Sequence, residues 1–347
     1  MVAAASQLGK RPTRVQIVGG RLYAKVGSRL QGKSRIWYWL WGLQELLDKY
    51  PGRVPDVDLV MQTQDSAQCT VRGKPPKNKT LALTYQDYHP GTLHHPPPPV
   101  FSAVTTANDY DLLWPLWTIW GEDVQGASAK AGGFHDPNWG RLHGSLVRAA
   151  RATPWRSRRA SRPLWRGSVK TNRRRIELVN CGRGSEGASM LDVANVQHKE
   201  HLGKPVSAIR RTEHRYLIYM DGKTFSGGLL PMTPTGAILL IHPTEFVTLH
   251  TRAVMSTGYY AEFSAGEDMC QNISAVLQLM NDDEEGTAEK AAALLEWATV
   301  ELSMRSVERD MLNMLNAYAK LQRFDVKRSS TLQEVRWSLI RKNVMRN

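Results

Sequence analysis

The stretch LWRGSVKTNRRR, residues 164–175, places an apolar pair before an Arg-Gly-Ser turn and a run of three arginines. An apolar segment followed by a glycine turn and a helix candidate over 173–179 predicts a strand that leads into a helix. The first turn of a helix presents free backbone N–H groups and the positive end of the helix dipole, which together attract phosphate. The stretch therefore predicts a strand followed by a helix, and it leaves three interpretations of its function open: a phosphate site, a nucleic-acid patch or a solvated loop.

Strands and helices also alternate on both sides of this stretch. The sequence predicts a hairpin over 15–24, a helix over 36–47, a buried strand over 54–63, and further strands over 216–220 and 236–241. Two successive alternations of this kind predict two α/β domains with parallel sheets. Ligands bind beyond the carboxyl ends of the strands in such sheets, so we expect the site in a cleft between the domains.

The positive charge of the chain is unevenly distributed. The 347 residues carry a formal net charge of +14, and residues 148–175 contain 11 Arg or Lys with no Asp or Glu. A segment of this kind favours an anionic partner such as a nucleotide phosphate, a nucleic acid or a membrane surface. Three scattered cysteines are too few for a disulfide scaffold or a zinc site, and no apolar run predicts a membrane-spanning helix.

Five segments, in order along the chain, resemble the motifs of glycosyltransferase family 90, which includes protein O-glucosyltransferases, protein O-xylosyltransferases and fungal capsule xylosyltransferases. They are VGGRLYAK, VPDVDLVMQTQD, FSAVTTANDYDLLWPLWTIWG, PLWRGS with the basic residues after it, and HRYLIYMDGKTFSGGL. The likeness extends over residues 15–320, and five collinear motifs are more specific than any one of them.

The resemblance implies a GT-B-like fold of two Rossmann-type domains whose parallel sheets face an interdomain cleft. We expect an N-terminal acceptor-side domain with the catalytic base over 1–150, a UDP-sugar-binding domain over 151–325, and a basic C-terminal tail over 326–347. The implied reaction is inverting transfer of a sugar, glucose or xylose first, from a UDP-sugar to a hydroxyl of a protein or glycan acceptor.

Inverting transfer requires a general base that takes the proton of the acceptor hydroxyl. Asp111 matches the position of the family's catalytic base. From the residues alone Asp109 is a rival, because the segment DYD offers two carboxylates, but the alignment of DLLWPLW favours Asp111. The same segment imitates an Asp-x-Asp metal motif of another glycosyltransferase fold. The resemblance implies a reaction without a metal ion, so we expect no metal and no cofactor beyond the sugar nucleotide.

The donor residues that the resemblance implies are Ser168 and Arg174, with Arg166 and Gly167 shaping the turn, and Ser226 in the second glycine-rich turn. The family usually has an Arg or Lys just after that second turn, where this chain has Gly228. Lys223 could replace the missing cation, or the chain could be a weakened or inactive relative.

Acceptor residues are less clearly marked. Asp65 and the loop GFHDPNWG, residues 133–140, match places where relatives contact the acceptor, and Trp139 is the exposed candidate. Trp114, Trp117 and Trp120 could stack a sugar or belong to the core.

Relatives work in the endoplasmic reticulum or Golgi, which implies the lumen of the secretory pathway, although the start of this chain does not resemble a secretory signal.

Two other functions compete with transfer. A nucleic-acid-binding protein is suggested by the basic segment, but no known nucleic-acid module is present and we expect no nucleic-acid partner. A catalytically silent binding protein is suggested by Gly228. The oligomeric state is not readable from the sequence.

Overall fold

The computed structural model describes residues 13–25, 35–65, 99–121, 139–158, 160–183, 189–196, 204–264 and 268–344. The strands are β1 (Thr13–Val18), β2 (Arg21–Ala24), β3 (Val57–Gln62), β4 (Val100–Ser102), β5 (Leu112–Leu113), β6 (Leu164–Gly167), β7 (Asp192–Asn195), β8 (Tyr216–Tyr219), β9 (Ile238–Ile241), β10 (Ala261–Glu262) and β11 (Gln333–Glu334). The α-helices are α1 (Ile36–Lys49), α2 (Trp139–Ala152), α3 (Arg173–Cys181), α4 (Leu229–Met232), α5 (Leu249–Thr257), α6 (Met269–Asp282), α7 (Glu284–Glu301), α8 (Met304–Leu321) and α9 (Trp337–Val344).

The chain forms two compact units, one of residues Met1–Trp120 with Val307–Asn347 and the other of residues Gly121–Ser306. These bounds differ from the predicted ones at 150 and 325. The segment that holds α2 belongs to the second unit because its buried side chains bond there: His143 Nε2 contacts the Ala298 carbonyl at 2.9 Å. The assignment of the donor and the acceptor to separate domains stays a prediction.

The first unit contains a six-stranded sheet in the order β11-β2-β1-β3-β4-β5. The predicted hairpin is confirmed: β1 and β2 pair antiparallel, and Gly19 and Gly20 make the turn with φ of 57° and 72°. A two-residue turn with both φ positive needs glycine or asparagine, which the Gly-Gly pair supplies. Because β1 also pairs antiparallel with β3, only β3, β4 and β5 run parallel. The prediction of a parallel first sheet therefore applies to β3, β4 and β5, whereas the hairpin strands pair antiparallel.

Tryptophans make much of the first unit's core. Helix α1 buries the apolar face that its sequence predicts, including Trp37, Trp39, Leu40 and Leu43. The alternative that the aromatic residues after β5 belong to the core is confirmed, because Trp114, Trp117 and Trp120 are all at most 3% exposed.

Residues 326–344 of the predicted basic C-terminal tail contain a strand and a helix that belong to the first unit. Strand β11 pairs antiparallel with β2, and the Val335 backbone N–H donates to the Leu22 carbonyl at 2.8 Å. The segment thereby covers an edge of β2 that would otherwise expose unpaired backbone groups. The prediction of a tail is corrected in this respect.

The second unit contains a five-stranded, entirely parallel sheet in the order β10-β9-β8-β6-β7, as predicted. Strands β8 and β9 are buried on both faces, with Ile218 and Leu240 in one apolar cluster and Leu217 and Leu239 in the other. Continuous apolar strands of this type occur where helices cover both faces of a sheet. A disulfide between Cys181 and Cys270 joins α3 to α6. Among the described helices, none is long and apolar enough to cross a bilayer.

Candidate functional site

The strand order of the second sheet reverses between β6 and β8. From β6 the chain forms β7 on one side and then crosses to β8 on the other. In open parallel sheets a ligand binds at the carboxyl ends of the strands beside such a switch point. Ser168 directly follows β6, and Lys223 and Ser226 lie in the turn after β8. The predicted donor residues are thus attached to the two strands that flank the switch point.

The turn after β6 requires glycine for a packing reason. A Cβ on Gly167 would lie 2.6 Å from a ring atom of Trp165, which is 5% exposed. Ser168 then begins a short 3-10 helix, and its Oγ accepts the Lys170 backbone N–H at 3.3 Å. Helix α3 starts a few residues later, where Asn172 Oδ1 caps the Arg174 backbone N–H at 3.0 Å. The chain therefore presents two helix starts in succession beside β6.

Arg175 connects the two turns that flank the switch point, a role that no pattern in the sequence indicates. This buried guanidinium donates to the carbonyls of Ser168 at 3.0 Å, Met220 at 2.8 Å and Asp221 at 2.8 Å. Burial lowers the pKa of Arg175. By bonding the residues that follow β6 and β8, it sets the distance between the two turns.

Asp221 organises the turn after β8. Its carboxylate accepts hydrogen bonds from the hydroxyls of Tyr219, at 3.0 Å, and Thr244. The Tyr219 hydroxyl also accepts the Ser226 backbone N–H at 3.1 Å, so the turn closes on the strand that precedes it. Burial raises the pKa of Asp221 from 3.8 to about 6, although both hydroxyl bonds and Arg175 oppose this rise. The carboxylate therefore ties the turn after β8 to the turn after β9.

Arg174, the predicted diphosphate ligand, is held by a histidine. Its Nη1 lies 3.0 Å from His242 Nε2, directly after β9. His242 Nδ1 lies 2.7 Å from the Pro243 carbonyl, which only accepts, so Nδ1 carries the proton and Nε2 accepts from Arg174. Burial, and then the Arg174 charge, lower the pKa of His242. The signal in the sequence was a polar residue immediately after a buried strand.

The basic segment has fewer free cations than its sequence suggests. Arg158 is 3% exposed and bonds the carbonyls of Thr153, His214 and Thr235. Arg166, predicted to shape the donor turn, pairs with the Asp192 carboxylate at 2.6 Å. These arginines bond the protein's own carbonyls and carboxylates, so their charge is partly structural. Arg166 joins β6 to β7.

The second glycine-rich turn has room for a larger side chain at Gly228. The backbone there has an ordinary helical conformation, with φ of −64° and ψ of −22°. A Cβ would meet only Ser226 Oγ at 3.4 Å and Met232 Sδ at 3.9 Å. Lys223, the predicted substitute cation, is exposed. The missing family cation is therefore a change of sequence that the fold does not impose.

The two candidate bases differ in their surroundings. Asp111 is 7% exposed, and Oδ1 of its carboxylate accepts a hydrogen bond from the Ser102 hydroxyl at the end of β4. Its neighbours Tyr110 and Leu112 are 44% and 38% exposed. Asp109 is less buried and accepts a hydrogen bond from Thr106 within a local turn. Asp111 thus combines a buried carboxylate with exposed flanking side chains suited to contact a partner.

The predicted acceptor residues have different outcomes. Asp65 lies shortly after β3 with half its side chain exposed, and its carboxylate pairs with Arg35. Trp139 is 1% exposed, and its indole N–H donates to the Leu302 carbonyl at 2.6 Å. The prediction that Trp139 is exposed is wrong. Trp139 is the first residue of α2, and its ring packs into the core. Residues 133–138 of the same predicted loop lie outside the described part of the chain.

Comparison with known proteins identifies relatives along nearly the whole chain. The model of glycosyl transferase family 90 matches residues 2–346. Protein O-glucosyltransferase 1 of Homo sapiens is 22% identical over 338 residues, covering 94% of this chain and 76% of the relative. The Bos taurus protein of the same name is 21% identical with the same coverage. The O-glucosyltransferase rumi homolog of Aedes aegypti is 22% identical, covering 93% of this chain and 74% of the relative.

Proposed function

Because this chain belongs to glycosyl transferase family 90, we propose that it transfers glucose or xylose from a UDP-sugar to a hydroxyl of a protein or glycan acceptor. The observation that carries the proposal is the switch point of the parallel sheet, where Ser168, Arg174 and Ser226 belong to turns and a helix start beside β6 and β8. The names of the relatives support glucose as the first sugar to test.

In the proposed donor complex the diphosphate lies against the start of α3. Backbone N–H groups and the helix dipole favour the negative charge there, and the Arg174 guanidinium adds charge-assisted hydrogen bonds. Ser168 and Ser226 contribute hydroxyls, and Lys223 contributes an exposed cation. These groups neutralise the leaving UDP without a metal ion, which is the metal-independent mechanism expected for the family.

In the proposed reaction Asp111 acts as the general base. Its carboxylate takes the proton of the acceptor hydroxyl while the hydroxyl oxygen bonds to the anomeric carbon. The bond between that carbon and the diphosphate oxygen breaks from the opposite face, so the configuration inverts and UDP leaves. The exposed Tyr110 and Leu112 offer an apolar contact to the acceptor beside the base.

Two observations bear on where the protein works and whether it is active. The disulfide between Cys181 and Cys270 supports the lumen of the secretory pathway, because disulfides persist in oxidising compartments. Gly228 favours the second candidate, a silent family member that binds UDP-sugars without turnover.

The test is a thermal-shift screen of UDP-sugars followed by transfer assays with the wild type and matched variants. A sugar nucleotide that binds raises the melting temperature in proportion to the logarithm of its concentration. Asp111→Asn is expected to lower transfer by at least ~100-fold while UDP affinity stays, whereas Asp109→Asn keeps transfer. UDP binding without turnover by the wild type would support the silent candidate. No binding of any UDP-sugar would overturn the proposal.

A further inference from the structure

Three neighbouring parallel strands of the first unit bring polar side chains together. Gln62 is the last residue of β3, Ser102 is the last residue of β4, and Asp111 directly precedes β5. Gln62 and Ser102 are partners in the strand register. All three residues are buried, with exposures of 1%, 0% and 7% in that order. Buried polar groups in folded proteins are nearly always hydrogen-bonded, so the partners of these three side chains indicate what they do.

The hydrogen bonds among these residues run in one direction. The Gln64 backbone N–H donates to Gln62 Oε1 at 2.7 Å, which fixes the orientation of the Gln62 amide. Gln62 Nε2 therefore faces Ser102 and donates to its Oγ at 2.9 Å. The Ser102 hydroxyl has one proton, and it donates this proton to Asp111 Oδ1.

We propose that Ser102 and Gln62 are positioning residues for the catalytic base, an inference that rests on the proposed function. The hydrogen bonds hold the Asp111 carboxylate in one orientation against the end of the sheet. A hydroxyl that donates to a carboxylate also stabilises its ionised form, which is the form that accepts a proton.

A second hydroxyl and carboxylate pair in the same segment provides a matched control. Thr106 Oγ1 donates to Asp109 Oδ2 at 2.5 Å, which is the same type of bond on the rival carboxylate. Removing each hydroxyl separately therefore asks which carboxylate performs the chemistry. Thr106→Val keeps the shape of the side chain, as Ser102→Ala nearly does.

The experiment measures kcat, KM and the pH profile of kcat for sugar transfer by the wild type, Ser102→Ala and Thr106→Val. We expect Ser102→Ala to lower kcat about tenfold with KM for the donor unchanged, because it removes a hydrogen bond to a charged group. The acidic limb of its kcat profile moves to higher pH, since the ionised base loses a stabilising donor. Thr106→Val keeps the wild-type profile.

Two further variants allow the inference to be tested even if Ser102→Ala does not fold. Ser102→Cys keeps the volume and a weak donor, so we expect an intermediate kcat and an intermediate limb position. Gln62→Met removes the amide that orients Ser102. We expect it to move the acidic limb of the kcat profile to higher pH, as Ser102→Ala does. Circular dichroism and thermal melts that match the wild type show that each variant still folds the first unit, which contains Gln62 and Ser102.

Each other result overturns the inference in a distinguishable way. An active wild type with an unchanged Ser102→Ala profile overturns the positioning role and leaves the proposed function intact. A shift in Thr106→Val in place of Ser102→Ala assigns the chemistry to Asp109. A wild type that transfers no sugar overturns the proposed function and, with it, this inference.

Discussion

Arg174 and His242 form a hydrogen-bonded pair of a cation and a neutral imidazole, with Nη1 of the arginine 3.0 Å from Nε2 of the histidine. The arginine lies in the first turn of α3 and the histidine follows β9, so the bond joins two elements at the carboxyl edge of the parallel sheet. The Phe263 ring packs edge to face with the histidine ring, with ring centroids 5.7 Å apart. The Arg174 side chain is thereby oriented at the proposed donor site before any ligand binds.

This pair predicts a measurable change in the titration of His242. Burial and the Arg174 charge both lower its pKa, so Arg174→Met is expected to raise the pKa of His242 toward the ordinary value of 6.5. The measurement is an NMR titration of the imidazole resonances. His143 is the control, because burial lowers its pKa and no arginine contributes. An unchanged His242 titration would contradict the pairing.

Asp221 predicts a pH-dependent contribution to stability. Its folded-state pKa is raised to about 6 from 3.8, so the folded state binds the proton more tightly than the unfolded state. Protonated Asp221 therefore stabilises the folded state fully below pH 3.8. This stabilisation is lost as the pH rises through 6, which lowers the free energy of unfolding by about 3 kcal/mol in all. Asp221→Asn removes this loss, although it weakens the bond from Thr244 at every pH.

The corresponding measurement is urea unfolding of the wild type and Asp221→Asn between pH 4 and pH 8. We expect the free energy of unfolding of the variant to rise relative to the wild type across this interval. A constant difference between the two proteins would show that Asp221 titrates normally.

We expect that replacing Gly228 with a cationic residue increases the affinity for UDP. Its backbone conformation suits any residue and its Cβ direction is open, so Gly228→Arg can restore the cation that the family usually has there. We expect UDP to bind about tenfold more tightly, as for one added charge-assisted hydrogen bond. Calorimetric titration with UDP measures the change.

Two control variants distinguish the effect of the added charge from the effect of its position in the turn. Gly228→Gln adds length without charge, and Gly227→Arg adds the same charge one residue earlier, where a Cβ meets no atom within 4 Å. Equal gains from both arginine variants would indicate general electrostatic attraction and not a specific contact.

We expect that replacing Gly167 even with alanine lowers the stability of the protein. A Cβ there would lie 2.6 Å from the Trp165 ring, so Gly167→Ala is expected to destabilise the second unit by about 1–3 kcal/mol. Gly144→Ala is the comparison, because its Cβ on helix α2 meets only Arg148 Nη1 at 3.6 Å. Alanine favours a helix interior, so this variant is expected to gain about 0.5–1 kcal/mol. Thermal melts of both variants check the opposite signs.

The hairpin at the start of the chain, the helix over 36–49 and the buried strands of the second sheet could be predicted from sequence. Each depends on local chemistry: a Gly-Gly pair for the turn, apolar spacing for the helix face, and unbroken apolar runs for strands covered on both faces. The family motifs also led to Ser168, Arg174 and Asp111.

Only the tertiary structure decided which charged residues are available for function. Arg174 and Arg175 are adjacent in sequence, yet one lies at the helix start beside His242 and the other is buried among backbone carbonyls. Trp139 enters the core, and Gln62 bonds Ser102, 40 residues later in the sequence, which in turn bonds Asp111. A side chain's role depends on which groups desolvate and bond it, and those groups come from segments that local sequence patterns do not connect.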